Sequence, residues 1–198
     1  MITTRSSTPE DADAVSACID AVARERRYLA ITSGFGAEQT RAFIASLSDG
    51  GGIQIVVVAD NRIVGWCDVA PVSFEGMRHV GRLGMGLLPP FRGQGLGRRL
   101  LREALSQVFC KTLQRVELEV FASNKIAVEL YERAGFVMEG RKRSARLLDG
   151  AQDDILIMGC LRSEWLSSPA NKATAANAGI ASQPTIEHDR PGVPGPGS

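Results

Sequence analysis

Apolar positions along the chain change period several times, and each change marks an element. Val15, Cys18, Ile19 and Val22 fall at i, i+3, i+4 and i+7, one face of a helix. Thr8-Pro9-Glu10-Asp11 marks its start: a capping hydroxyl, a proline suited to the first turn, and acids at the positive end of the helix dipole. A second short helix is predicted over 37–47, with Phe43, Ile44 and Leu47 inward, and Gly34 and Gly36 separate the two. Gly50 to Gly52 break that pattern. Ile53–Ala59 (IQIVVVA) is β-branched and reads as a strand, with Asp60-Asn61-Arg62 as a turn and 63–70 as its hairpin partner. Residues 71–78 read as a loop. Residues 79–88 (HVGRLGMGLL) read as a strand bearing glycines, which often mark a bulge or the close approach of a ligand.

Pro89-Pro90 ends that strand. The next stretch, RGQGLGRRLLREALSQVF, passes into a helix with Leu96, Leu100, Leu101, Ala104 and Val108 on one face. Arg115–Phe121 alternates, with Val116, Leu118 and Val120 on one side and Glu117 and Glu119 on the other. Residues 124–134 form a helix that ends at Gly135, a good C-terminal cap. Residues 136–148 and 154–161 complete a second hairpin through Asp149-Gly150. This order of elements predicts an α/β or α+β domain with a mixed central sheet.

A chain of 198 residues suits one domain with a substantial core. From Ser167 onward Ala, Pro, Gly, Ser and Asn dominate, so the reading is a folded domain over 1–166 and a disordered tail over 167–198. The polar opening MITTRSSTPEDAD has no apolar signal core, and no stretch approaches the ~18 apolar residues needed to cross a bilayer. A cytoplasmic protein with no membrane partner is expected. A net charge of +1 speaks against a dedicated nucleic-acid binder, so the basic run RKRSAR at 141–146 reads as a solvated strand face. Cys18, Cys67, Cys110 and Cys160 form no C-x-x-C, and His79 and His188 lie far apart, so no metal is expected. Each thiol reads as a small buried apolar group in a reducing compartment.

Chemistry concentrates in Arg92-Gly93-Gln94-Gly95-Leu96-Gly97-Arg98, between a strand and a helix. Glycines there let the backbone approach a ligand and turn several N–H groups inward. The new helix adds its positive end, and Arg92, Arg98 and Arg99 add full charges. Together they make an anion cradle suited to a pyrophosphate. A Walker loop needs Gly-Lys-Ser/Thr, which is absent, and in a dinucleotide fingerprint counted from Gly93 the third glycine falls at Arg98. What remains is R-x-x-G-x-G, at Arg92, Gly95 and Gly97.

In this setting the motif resembles the pyrophosphate loop [QR]-x-x-G-x-[GA] of the GNAT superfamily of N-acetyltransferases. A second block, Leu118-Glu119-Val120-Phe121-Ala122-Ser123-Asn124, continues through Ala127, Leu130-Tyr131-Glu132 and Ala134-Gly135-Phe136. It is similar to that superfamily's LEV…N…A…LYE…GF signature, at the expected separation. The resemblance covers roughly the first 165 residues. It implies a GNAT-like mixed sheet flanked by helices, with strands four and five splayed. It also implies direct transfer of an acetyl group from acetyl-CoA, the co-substrate, to a primary amine, without a metal or a cysteine acyl-enzyme.

By the same resemblance, Arg92, Gly93, Gln94, Gly95, Leu96, Gly97 and Arg98 bind the CoA pyrophosphate. Met85, Gly86 and Leu87 hold the pantetheine arm, and one N–H there stabilises the oxyanion. Asn124 contacts the cofactor and can also cap its helix. Tyr131 resembles the tyrosine that protonates the departing thiolate. Glu119 matches the general base of the ribosomal-protein N-terminal branch. Glu25, Tyr28 and Asp68 fall on elements that border the acceptor site, with RERRYLAITSGFG as part of a lid. Many members carry an acid on the fourth strand; this chain has Arg82, which cannot act as a base at neutral pH. The proton acceptor therefore stays open between Glu119 through water, Asp68, Glu25 and no single residue. A small-molecule amine is the expected acceptor. A protein N-terminus or lysine, or a CoA-binding regulatory module without turnover, are the alternatives, and homodimers are common in the superfamily.

Overall fold

The computed structural model describes residues 1–111, 113–168 and 171. β2 (Ile53–Ala59) is apolar at nearly every position because both of its faces are covered. It lies in a seven-stranded sheet with β1 (Ile2–Ser6), β3 (Arg62–Pro71), β4 (Val80–Leu87), β5 (Arg115–Phe121), β6 (Val137–Leu148) and β7 (Ala151–Leu161). The strand order is β1-β2-β3-β4-β5-β7-β6, and only β4 and β5 pair in parallel.

Helices α1 (Ala12–Ala23) and α2 (Ala37–Gly50) cover one face, against Val56 and Trp66. On the other face lie α3 (Leu96–Cys110), α4 (Lys125–Arg133) and α5 (Arg162–Ser167), packed against Ile55, Val57, Cys67, Val116 and Met158. The five apolar positions expected on one face of α3 are all buried, and Leu105 and Phe109 join them. Removing each such leucine from water contributes about 1.5–3 kcal/mol.

Several boundaries differ from the sequence reading. β1 was not expected. It is an edge strand, exposed along most of its length, so ITTRS carries no alternation to read. A single 3-10 turn, Pro9–Asp11, precedes α1; Asp11 accepts the Thr8 N–H at 2.8 Å and binds Arg5 at 2.6 and 2.7 Å. Phe43 does not join the core with Ile44 and Leu47; it stays 37% exposed. β7 begins directly after the Asp149-Gly150 turn, whose residues have φ of 52° and 75°, the left-handed pair of a tight hairpin. Ser167 closes α5, and apart from residues 167, 168 and 171 the tail expected over 167–198 lies outside the described residues. No helix among the described residues is long and apolar enough to cross a membrane.

Candidate functional site

The parallel pairing of β4 with β5 ends at Arg82↔Glu117. Beyond it β4 runs on to Leu87, still paired with β3, and β5 runs on to Phe121, still paired with β7. The two strands therefore part, and a wedge opens in the middle of the sheet with Met85, Gly86 and Leu87 along one edge. The β4 glycines are needed for what lies across them. A Cβ on Gly86 would meet the Trp66 ring at 2.3 Å, and one on Gly84 would sit 3.3 Å from the Asp68 carboxylate.

At the far end of β4 the chain turns through the glycine motif. Gly93 and Gly95 have φ of 73° and 77°, and a Cβ at either would meet nothing within 4 Å. Backbone conformation, not packing, explains both glycines, and the space before them is open. Gly95 is the N-cap of α3, so the first N–H groups of that helix face this space. Gly97 serves contact instead: its Cβ would touch Leu130 at 3.3 Å and Met85 at 3.7 Å, so α3, α4 and β4 meet closely there. Leu96 is buried, and Gln94 donates to the Pro90 carbonyl at 2.7 Å. A cleft of about 460 Å³ follows α3 from Gly95 past Arg98, Arg99 and Arg102. The helix N-terminus, the open glycine turn and three guanidinium groups fit a phosphate-rich ligand.

The Arg92 side chain points elsewhere. Its Nε donates to the Leu87 carbonyl at 2.7 Å, its fork binds Glu25 at 2.8 and 2.5 Å, and its plane lies 4.7 Å from the Tyr28 ring centre. Glu25 raises the Arg92 pKa further. Arg92, Glu25 and Tyr28 thus tie the end of β4 to the loop after α1. Arg26 in that loop binds Asp149 at 2.8 and 2.5 Å, and Arg146 donates to the Arg26 carbonyl while its guanidinium covers the Phe121 ring at 4.4 Å. The loop is strapped across to the β6–β7 turn. Of the run RKRSAR, Arg141 pairs with Asp154 and Lys142 with Glu119, so several of its charges are engaged within the fold.

Tyr131 faces inward from α4, 7% exposed and edge-on to Phe136 at 5.8 Å. Burial, with Cys67 nearby, raises its pKa, so the phenol keeps its proton at neutral pH. Asn124 Oδ1 accepts the Ala127 N–H at 3.3 Å and caps α4. Glu119 is half exposed and paired with Lys142 at 2.5 Å. Glu117 bridges Arg82 and Arg115.

Asp68 stands apart from the other acids. It lies on β3 opposite Gly84, on the α1/α2 side of the sheet. Burial pushes its pKa up to about 7, against hydrogen bonds from Trp66 and Gln54 that favour the charged form. It belongs to the wall of a pocket of about 390 Å³ that also includes Leu29, Ile31, Phe35, Phe43 and Trp66. The sequence reading named Asp68, and its lid stretch RERRYLAITSGFG contains Leu29, Ile31 and Phe35, but it did not place Phe43, Trp66 or Gln54 at the site. Trp66, next to a strand of glycines, was the available signal: a large ring needs small neighbours.

The acetyltransferase (GNAT) family matches residues 20–136. The chain is 30% identical over 114 residues to the SPbeta prophage-derived N-acetyltransferase YokL of Bacillus subtilis, across 56% of this chain and 62% of that one. It is 27% identical over 114 residues to the spermidine N(1)-acetyltransferase of Vibrio cholerae, across 57% of this chain and 65% of that one. It thus spans less than two thirds of the length of both relatives. The fold matches yncA from Salmonella typhimurium, solved with its cofactor acetyl-CoA, with a TM-score of 0.77 at 17% identity, over 85% of this chain and 97% of that one. A family match over more than half of the chain, on a sheet parted between β4 and β5 and a glycine loop opening α3, makes this chain a member of the GNAT family of acetyltransferases.

Proposed function

We propose that this protein transfers an acetyl group from acetyl-CoA to a primary amine of a small molecule, by direct attack. One observation carries the reading: β4, which borders the wedge and leads into the glycine loop before α3, also gives Gly84 and Met85 to a pocket in which Asp68 is the one carboxyl group among the described lining residues. The strap from Arg26 to Asp149 supports a small acceptor, because it holds in place the loop that gives Leu29, Ala30 and Ile31 to the pocket wall.

Acetyl-CoA supplies the acetyl group as a thioester. Backbone N–H groups of Gly93 to Gly97 and the α3 N-terminus hold its phosphates, with Arg98 and Arg99 beside them. Asp68 takes a proton from the substrate ammonium, freeing the lone pair; a pKa near 7 suits that task. Glu119 and Glu25 are held by Lys142 and Arg92, which leaves Asp68 as the acid best disposed for it. One backbone N–H in Met85 to Leu87, on the edge of β4 that borders the wedge, faces the carbonyl oxygen as negative charge develops on it. The nitrogen–carbon bond forms, the carbon–sulfur bond breaks, and Tyr131 gives its proton to the sulfur. The Tyr131 phenolate recovers a proton from the amide nitrogen, so one proton is released overall, through Asp68. Positioning and oxyanion stabilisation supply most of the rate.

The test measures acetyl-CoA binding and then amine-dependent release of free CoA thiol. Release that depends on an amine supports the transferase. Binding without release from any amine or peptide favours a regulatory CoA-binding module. Absence of binding refutes the reading.

A further inference from the structure

The acceptor pocket has an unusual balance of groups. Two aromatic rings that a folded protein would normally cover, Phe35 at 52% and Phe43 at 37% exposure, stand at its walls with Leu29 and Ile31, and Trp66 backs it. Among the described residues that line it, Asp68 is the one carboxylate, and there is no lysine, arginine or histidine. Beside Asp68, on the neighbouring strand, the amide oxygen of Gln54 is buried with no hydrogen-bond partner among the described residues, while Gln54 itself is 5% exposed. Gln54 does not line the pocket; Asp68 does, beside the polar side chains of Gln39 and Thr40, and a lone carboxylate in a wall without cations matches a primary ammonium.

We infer that the acceptor is an apolar monoamine, an aromatic or branched alkyl amine whose one ammonium meets Asp68 and whose body covers Phe35, Phe43, Leu29 and Ile31. The inference rests on the transferase reading above and narrows its substrate. The pocket discriminates by what it lacks. A free amino acid brings a carboxylate that finds no cation in the lining and sits near Asp68. A diamine or polyamine brings a second cation that finds no second carboxylate. Either would set a charge against apolar walls with no partner in the lining, a desolvation cost that an apolar group in the same place avoids. The volume of about 390 Å³ is at the small end for ligand pockets, and it suits a body of one ring or a short branched chain.

Matched pairs test this with the full chain. Phenethylamine and L-phenylalanine differ by one carboxylate; pentylamine and 1,5-diaminopentane differ by one ammonium. CoA release is followed for all four, with spermidine and a short peptide alongside. The expected result is a kcat/KM at least about tenfold higher for the first member of each pair, the effect of about 1.4 kcal/mol of discrimination. Phe43→Ser, at an exposed position, should raise KM for phenethylamine severalfold and leave KM for acetyl-CoA unchanged. Preference for the amino acid, the diamine, spermidine or the peptide overturns the inference and leaves the transferase standing. An unchanged phenethylamine KM in Phe43→Ser also overturns it. Intact acetyl-CoA binding with no release from any amine overturns both.

Discussion

Asp68→Asn separates the charge of Asp68 from its shape. Asparagine keeps the size and one acceptor oxygen but cannot take a proton. Burial moves Asp68 from an ordinary 3.8 to about 7. Its folded pKa lies above its unfolded one, so the sign is fixed. The stabilising contribution of the protonated group is fully present below the unfolded value and is lost as pH rises through about 7. At about pH 9 the full charging cost is on the order of 4 kcal/mol, and partial exposure of the side chain reduces it to about 2 kcal/mol. Thermal unfolding of the variant should match wild type at or below about pH 3.5, and at about pH 9 it should lie about 4–8 °C above wild type. Activity moves the other way. The ratio of wild-type to variant kcat/KM should rise through about pH 7 and level off at about 10²–10⁴. Taking the ratio cancels the titration of the amine itself. A ratio that stays flat with pH, or a variant less stable than wild type at high pH, would refute the assignment.

Four further outcomes follow from the same geometry. Tyr131→Phe keeps the ring on Phe136 and should lower kcat by about 10²-fold or more with little change in either KM; an undiminished kcat removes Tyr131 as the acid. Gly95→Ala forces a side chain into a φ of 77°, so chemical unfolding should report a loss of about 1–2 kcal/mol, and titration should show weaker acetyl-CoA binding. Arg26→Ala breaks an exposed pair, so thermal unfolding should barely move while the amine KM rises and the acetyl-CoA KM does not. Glu119→Gln should cost less than about 1 kcal/mol and leave the pH profile of kcat/KM in place; loss of the limb near neutrality would move the base to Glu119.

What the sequence made legible has a physical pattern. Local signals read well. The apolar face of α3, the alternation of β5 and the glycine loop are set by neighbours a few residues apart, and the structure has them where the period puts them. The splay of β4 and β5 entered by family resemblance, and it is present as a parallel pairing that stops at Arg82↔Glu117. Contacts between distant segments did not read. Arg92 was expected to serve the phosphates, yet its guanidinium is taken by Glu25, a residue 67 positions away. The charges of RKRSAR gave no sign that Arg146 would reach the Arg26 carbonyl, 120 positions away. The α2 wall of the apolar pocket did not read, for a related reason. Phe43 sits on the helical stripe with Ile44 and Leu47, and periodicity cannot tell a side chain facing the core from one facing a cavity at its edge.

Arg82 raised the sharpest doubt in the sequence, because it stands where an acid was expected on the fourth strand. Sheet register offers an answer. β3 and β4 pair antiparallel with Asp68 opposite Gly84, and directly opposed residues of two strands share one face. An acid on β3 facing a glycine on β4 reaches the space that an acid on β4 itself would fill. Gly84 makes this work, since its Cβ would crowd the carboxylate at 3.3 Å. Arg82 then has a different role: it binds Glu117 at 3.3 Å at the last paired step before the strands part. Moving the acid across the sheet also changes its surroundings. On β3 it is backed by Trp66 and Gln54 and faces the apolar cavity under α1 and α2. In this reading one displacement, from the fourth strand to the third, ties the proton acceptor to the apolar pocket that selects the amine.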